Sequence, residues 1–140
     1  PLSKNIVVIG GDLVGLELAE FLVERGRTVR VLEPSGSLGR NLSIVRRSRV
    51  VHMLKEHGVD LLTNVEIKEI CDQEVIFDHK ETEKSLPADQ VIIALGANAN
   101  LELTEELNRL QLPLTSIGDC TSVGYIHGAI ADARMATLNL

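Results

Sequence analysis

Asn5-Ile6-Val7-Val8-Ile9-Gly10-Gly11-Asp12-Leu13-Val14-Gly15-Leu16-Glu17 is the stretch that decides the fold of this 140-residue chain. Ile6 to Ile9 are apolar, rich in β-branched side chains and too few for a helix, so they predict a buried parallel strand. A glycine cluster follows at once. After it Leu13, Leu16, Ala19, Leu22 and Val23 fall on one helical stripe, with Glu17, Glu20, Glu24 and Arg25 interleaved. Strand, glycine turn and helix together begin a βαβ unit of the kind that cradles a dinucleotide. The first glycine permits the tight turn, the last lets helix and strand approach, and the helix-start N–H groups face a diphosphate.

Working outward, Gly26 stands where a helix-ending glycine belongs, and Thr28-Val29-Arg30-Val31-Leu32 predicts a second strand that ends at Glu33. Glu33 lies 18 positions beyond Gly15, close to the spacing at which an acidic residue takes the adenosine ribose hydroxyls. A carboxylate there accepts from a free diol and repels a 2′-phosphate, which favours NAD over NADP. The plainer alternative is a polar residue closing a strand.

Pro34-Ser35-Gly36-Ser37-Leu38-Gly39 has loop composition. Ser43 predicts a cap for a helix running to about His57, with Ile44, Val51 and Leu54 inward and Gly58 closing it. Arg46, Arg47 and Arg49 make a basic cluster on this helix, read as a solvated face with phosphate contact as the alternative. His52 and His57 share no metal-ligand spacing with other residues. Val59 to Thr63 predicts a third parallel strand. Short strands at Val65–Ile70, Glu74–Phe77 and Lys84–Leu86 then predict a β-meander. Gln90-Val91-Ile92-Ile93-Ala94-Leu95-Gly96 reads as a central parallel strand ending in a glycine turn. Leu101 to Leu110 predicts a short acidic helix broken by Pro113, Leu114 to Ile117 a last strand, and Tyr125 to Leu138 an amphipathic helix.

Composition narrows the function classes. Hydrophobic residues make up 44% and charged residues 24%, as expected of a globular chain. A net charge of −6 argues against a nucleic-acid partner. No apolar run reaches membrane-spanning length, and the N-terminus lacks a signal-peptide pattern. Cys71 and Cys120 are far apart, so neither a disulfide framework nor a zinc site is expected, and a reducing, cytoplasmic compartment is the default. The chain opens at Pro1 without Met, which suggests a piece of something longer.

The ordered set IVVIGGDLVGLELAEFLVERG, a strand ending in Glu33, a meander, VIIALGANAN and TSIGDC resembles pyridine-nucleotide-dependent flavin oxidoreductases. The short distance from Gly96 to Gly118 is most similar to the 2,4-dienoyl-CoA reductase, enoate reductase and trimethylamine dehydrogenase group (NADH:flavin oxidoreductases). The resemblance implies an α/β, Rossmann-like three-layer fold with a central parallel sheet and a β-meander crossover. It implies an NAD(P)-binding domain at residues 1–112, followed at 113–140 by the returning segment of a split FAD-binding domain. The parent enzyme would carry FAD, with FMN and an iron–sulfur cluster in other domains, while this chain alone would be catalytically silent. Its partners would be a dinucleotide and the remaining domains of the parent, with self-association through the last helix if that helix is left uncovered.

The resemblance assigns Gly10, Gly11, Leu13, Val14 and Gly15 to the cofactor turn and Glu33 to the ribose. Glu17 matches a glutamate near the nicotinamide end, its plain alternative being an exposed helix carboxylate. Gly96 matches a second turn beside the cofactor, and Asp119 an FAD contact with little FAD to bind here. His127, on the helix that approaches flavin in the family, receives no role.

One departure stands out. The family's middle glycine is Asp12, where bulk and like charge meet the diphosphate. Two unit charges about 4 Å apart at an effective dielectric near 20 interact by roughly 4 kcal/mol, an upper figure of about three decades in affinity. Alternatively, Asp12 caps the helix and occupies the amides itself. Weak NAD(H) binding is the expectation, with a non-catalytic ADP-binding or structural module as the rival. A Rossmann-type methyltransferase shares the turn and acidic strand end but not the meander followed by ALG and GDC.

Overall fold

The computed structural model describes residues 3–138, which divide into two compact units, one ending at Gly96 and one beginning at Ala97. In the first unit, β1 (Asn5–Ile9), α1 (Leu13–Val23), β2 (Thr28–Glu33), α2 (Ile44–Glu56) and β3 (Asp60–Thr63) alternate as the apolar periods predict. The meander β4 (Val65–Ile70), β5 (Glu74–His79) and β6 (Thr82–Pro87) follows, and β7 (Gln90–Ile93) ends the unit's strands. The strands β3-β2-β1-β7 form one parallel sheet in that order, and β4-β5-β6 a separate antiparallel sheet. The result is a Rossmann-like α/β architecture.

Alternation along β1 explains the layering. Ile6 and Val8 point into a cluster with Leu16, Ala19 and Leu22 of α1 and Val50 and Leu54 of α2. Val7 and Ile9 point the other way, into a cluster with Val65, Val75 and Phe77 of the meander. Both faces of the sheet are thereby covered, as a β-branched run without polar alternation requires. The meander carries the chain from β3 at one edge to β7 at the other. Its β5–β6 hairpin turns on Lys80 and Glu81 alone, both with positive φ (56° and 59°), so His79 and Thr82 already pair as strand residues.

Four expectations need correction. β7 is an edge strand, paired among the described residues with β1 only, and Ile93 is 65% exposed. A continuous apolar run reports that faces are covered, not that both edges are. Ile44 is 86% exposed, and Val50, not Ile44, joins Leu54 as the buried residue of α2. The helix starts beyond the edge of the core, so its first apolar position faces solvent. Leu13, at the start of α1, is likewise only half-buried. Leu114 to Ile117 forms no strand, because extended residues become a strand only against another strand's backbone and the second unit offers none among its described residues.

The second unit consists of α3 (Glu102–Arg109), a 3-10 turn at Gly118–Cys120 and α4 (Tyr125–Leu138). No residue of α3 or α4 is buried; Ile126, Ile130, Met135 and Leu138 of α4 all lie on the surface. Neither cysteine is in a disulfide. Among the described residues no helix is long and apolar enough to cross a membrane.

Candidate functional site

The carboxyl end of β1 and the start of α1 make a tight knot. Gly10 adopts φ +109°, and its N–H donates to Leu32 O at 2.8 Å, tying the turn to β2. A Cβ on Gly10 would stand 2.3 Å from Ala94 O, and one on Gly15 only 1.9 Å from Gly10 O. Both glycines are therefore demanded by the protein's own packing. A Cβ on Gly11 would meet Leu38 Cδ2 at 2.4 Å. Gly96 differs: it has φ +99° with open space around it, so its conformation, not crowding, calls for glycine.

Glu33 sits at this knot. It is 6% exposed, and its Oε2 accepts from Gly11 N at 2.6 Å while Oε1 accepts from Ser35 N at 2.8 Å. The plain alternative of a polar strand end is too weak a description, since the side chain joins the glycine turn to the loop after β2. An ionised carboxylate offers about four lone-pair sites, so two backbone bonds leave it acceptor capacity for a ligand hydroxyl.

Asp12 does not cap α1. It is extended (φ −94°, ψ −161°) at the N-cap position, and no side-chain bond to the helix amides forms among the described residues. Both carboxylate oxygens turn instead to the β2–α2 loop, where Oδ1 accepts from Asn41 N at 2.9 Å and Oδ2 from Asn41 Nδ2. This rules out the alternative reading in which Asp12 caps the helix and occupies the amides itself. Leu16 N is bonded to Asp12 O at 2.9 Å, which leaves the N–H groups of Leu13, Val14 and Gly15 as the helix's unpaired first donors. Val14 beside them is 55% exposed.

The loop after β2 folds back over the turn through Gly39 N, which donates to Gly11 O at 2.7 Å. Leu38 is buried against Gly11; an apolar side chain inside an otherwise Gly/Ser/Pro segment is a signal of burial, but not of its partner. Asn41 and Ser35 carried no signal, because backbone contacts from a loop have no periodicity. Beside the loop, Ser37, Leu38, Arg47, Val51, Lys55 and Thr63 line an open groove of about 420 Å³. Arg47 donates to Ser37 Oγ at 3.0 Å.

Glu17 is exposed and lies 4.0 Å from Arg46, which pairs more closely with Glu20 at 2.7 Å, so these groups bracket α1 to α2. Asp119 belongs to the second unit. Its Oδ1 accepts from Gly124 N at 2.9 Å and Tyr125 N at 3.0 Å, and Gly118 N donates to Asp132 Oδ2 at 3.0 Å. The Gly-Asp pair thus closes the turn leading into α4. Among the described residues no cluster of three or more His, Cys, Asp or Glu could hold a metal ion.

The chain is similar to known oxidoreductases. It is 35% identical over 135 residues to a bilirubin reductase of Mediterraneibacter gnavus, covering 96% of this chain and 21% of that protein. It is 28% identical to an NADH oxidase of Thermoanaerobacter brockii, covering 92% of this chain and 20% of the relative. A solved 2-naphthoyl-CoA reductase superposes with a TM-score of 0.84 at 29% identity, over 94% of this chain and 20% of that one. The chain thus spans about a fifth of the length of each of these proteins. The sequence model of the pyridine nucleotide-disulphide oxidoreductase family matches residues 1–133, and the chain belongs to that family.

Proposed function

We propose that this chain is the NAD(H)-binding part of a longer, flavin-dependent NADH oxidoreductase. The observation that carries this is the 2.6 Å bond from Gly11 N to Glu33 Oε2, which puts the acidic strand end and the glycine turn within reach of one ligand. The donor set suits a dinucleotide: three unpaired helix-start amides for a diphosphate, and a carboxylate with spare lone pairs for the attached ribose. Bound NADH would supply a hydride, for FAD in a neighbouring domain to receive. The residues here would bind and orient, and proximity would be their contribution to rate. Glu17 would lie toward the nicotinamide end, and the open Gly96 turn would border the cofactor.

The domain limits proposed from the resemblance, 1–112 for nucleotide binding and 113–140 for a segment returning to an FAD domain, go with this proposal. So do FMN and an iron–sulfur cluster elsewhere in the parent, and silence of the 140-residue chain by itself. The exposed apolar face of α4 would then be covered by the rest of such an enzyme, or by a second copy when alone, which sedimentation at increasing concentration would reveal. A non-catalytic module that takes ADP is favoured by Asp12 at the middle-glycine position.

Calorimetric titration with NADH, NADPH and ADP separates these. The expected order is NADH over NADPH, because Glu33 opposes a 2′-phosphate. Binding of ADP with no gain from the nicotinamide half would favour the non-catalytic module. Asp12→Gly is expected to tighten NADH binding, but by less than the roughly three decades that a like charge about 4 Å from the diphosphate would set, because Asn41 holds the carboxylate toward the loop. Unchanged affinity in that variant would remove the charge argument.

A further inference from the structure

We infer that Asn41 is a positioning residue of the glycine-turn site: it holds the Asp12 carboxylate off the start of α1 and so keeps the helix amides open to a diphosphate. The inference rests on the dinucleotide proposal above and adds a residue that no spacing rule identifies. Aspartate at an N-cap ordinarily accepts from the second or third helical N–H. Here it stands at the N-cap with extended backbone and makes no such bond. Both of its oxygens are instead engaged by one residue, through Asn41 N at 2.9 Å and Asn41 Nδ2. Asn41 is held in place from outside the pair, since Gly39 N bonds Gly11 O at 2.7 Å and Leu38 packs on Gly11. The loop is thus anchored on one side of the turn and draws the carboxylate toward itself.

The consequence is a competition. Without Asn41's side chain, Asp12 has an alternative two and three residues away, the unpaired amides of Val14 and Gly15. A carboxylate seated there would fill the donors that a diphosphate needs and add a like charge to the site. An asparagine in a loop would therefore make an aspartate tolerable where its family places glycine. Asn41 is exposed, so its replacement should leave the fold intact.

The test is a double-mutant cycle on the full 140-residue chain, titrated with NADH: wild type, Asn41→Ala, Asp12→Gly and the pair. Asn41→Ala is expected to weaken NADH by roughly fivefold, the factor a side-chain cap is worth, and to change nothing once Asp12 is glycine. The backbone N–H at position 41 remains, which keeps the effect partial. Equal losses in both backgrounds, or none in either, would overturn the inference. Asn41→Ser replaces Asn41→Ala should the alanine variant misfold. A second arm needs no ligand: in amide NMR spectra, Asn41→Ala should shift the Val14 and Gly15 resonances in the wild-type background only. Failure of every variant to bind NADH would sink the dinucleotide proposal, while the amide shifts would still decide the role of Asn41; unmoved resonances would refute it.

Discussion

The two compact units of this chain bury very different amounts of themselves. Up to Gly96, a parallel sheet is covered on one face by α1 and α2 and on the other by the meander, and Ile6, Val7, Val8, Leu16 and Leu54 have no exposed surface at all. From Ala97 onward only Gly118 is buried among the described residues, and Leu103, Leu110, Ile126 and Ile130 are all more than 60% exposed. Apolar content does not separate the units. What separates them is that a sheet organises two covers around itself, whereas two short helices and a turn enclose nothing.

Two carboxylates sharpen the contrast. Glu33 and Asp119 each accept two backbone N–H bonds, yet one is buried at the glycine turn and the other is exposed at the head of α4. Removing a buried acceptor strands its donors, whereas water replaces an exposed one.

Substitutions should rank accordingly. Phe77→Ala, in the meander core at 1% exposure, is expected to cost about 3–5 kcal/mol in urea unfolding, the largest effect in the chain. Gly15→Ala forces a Cβ against Gly10 O and should cost roughly 3 kcal/mol by the same measurement, with loss of NADH binding as the turn shifts. Glu33→Ala should cost about 2 kcal/mol, because Gly11 N and Ser35 N lose their acceptor, against under about 1 kcal/mol for Asp119→Ala. Equal costs at these two positions would break the comparison. The smallest effect belongs to Ile130→Ser on the surface of α4, expected within about 0.5 kcal/mol, and a larger loss would mean that this face is covered in solution. Hydrogen exchange offers a check without mutation: amides of β1 should open only with global unfolding, and those of α4 far more readily.

Much of the first unit was legible because each of its elements has a period. The apolar runs of β1 and β2, the stripe of α1 and the polar breaks in the meander each reflect one covered face or two. The same logic failed at Ile44 and at Leu114–Ile117, where an apolar or extended stretch had the right local pattern but no neighbour to meet it. At the candidate site, Gly10, Gly15 and Glu33 could be named from spacing, since the turn and the strand end are both local to one βαβ unit. Asn41, Leu38 and Ser35 could not be placed there, because they reach the turn through a loop whose path is set by contacts far along the chain.

By itself the amino-acid sequence determined the order of elements up to Gly96, the glycines that the turn demands and the acidic residue at the end of β2, all of which follow from backbone sterics and side-chain periodicity. Only the tertiary structure decided which way Asp12 turns. Its local preference is to cap the helix that follows it, and two donors from a loop 29 residues later outweigh that preference. A competition between near and distant partners is settled by geometry that no window of sequence contains.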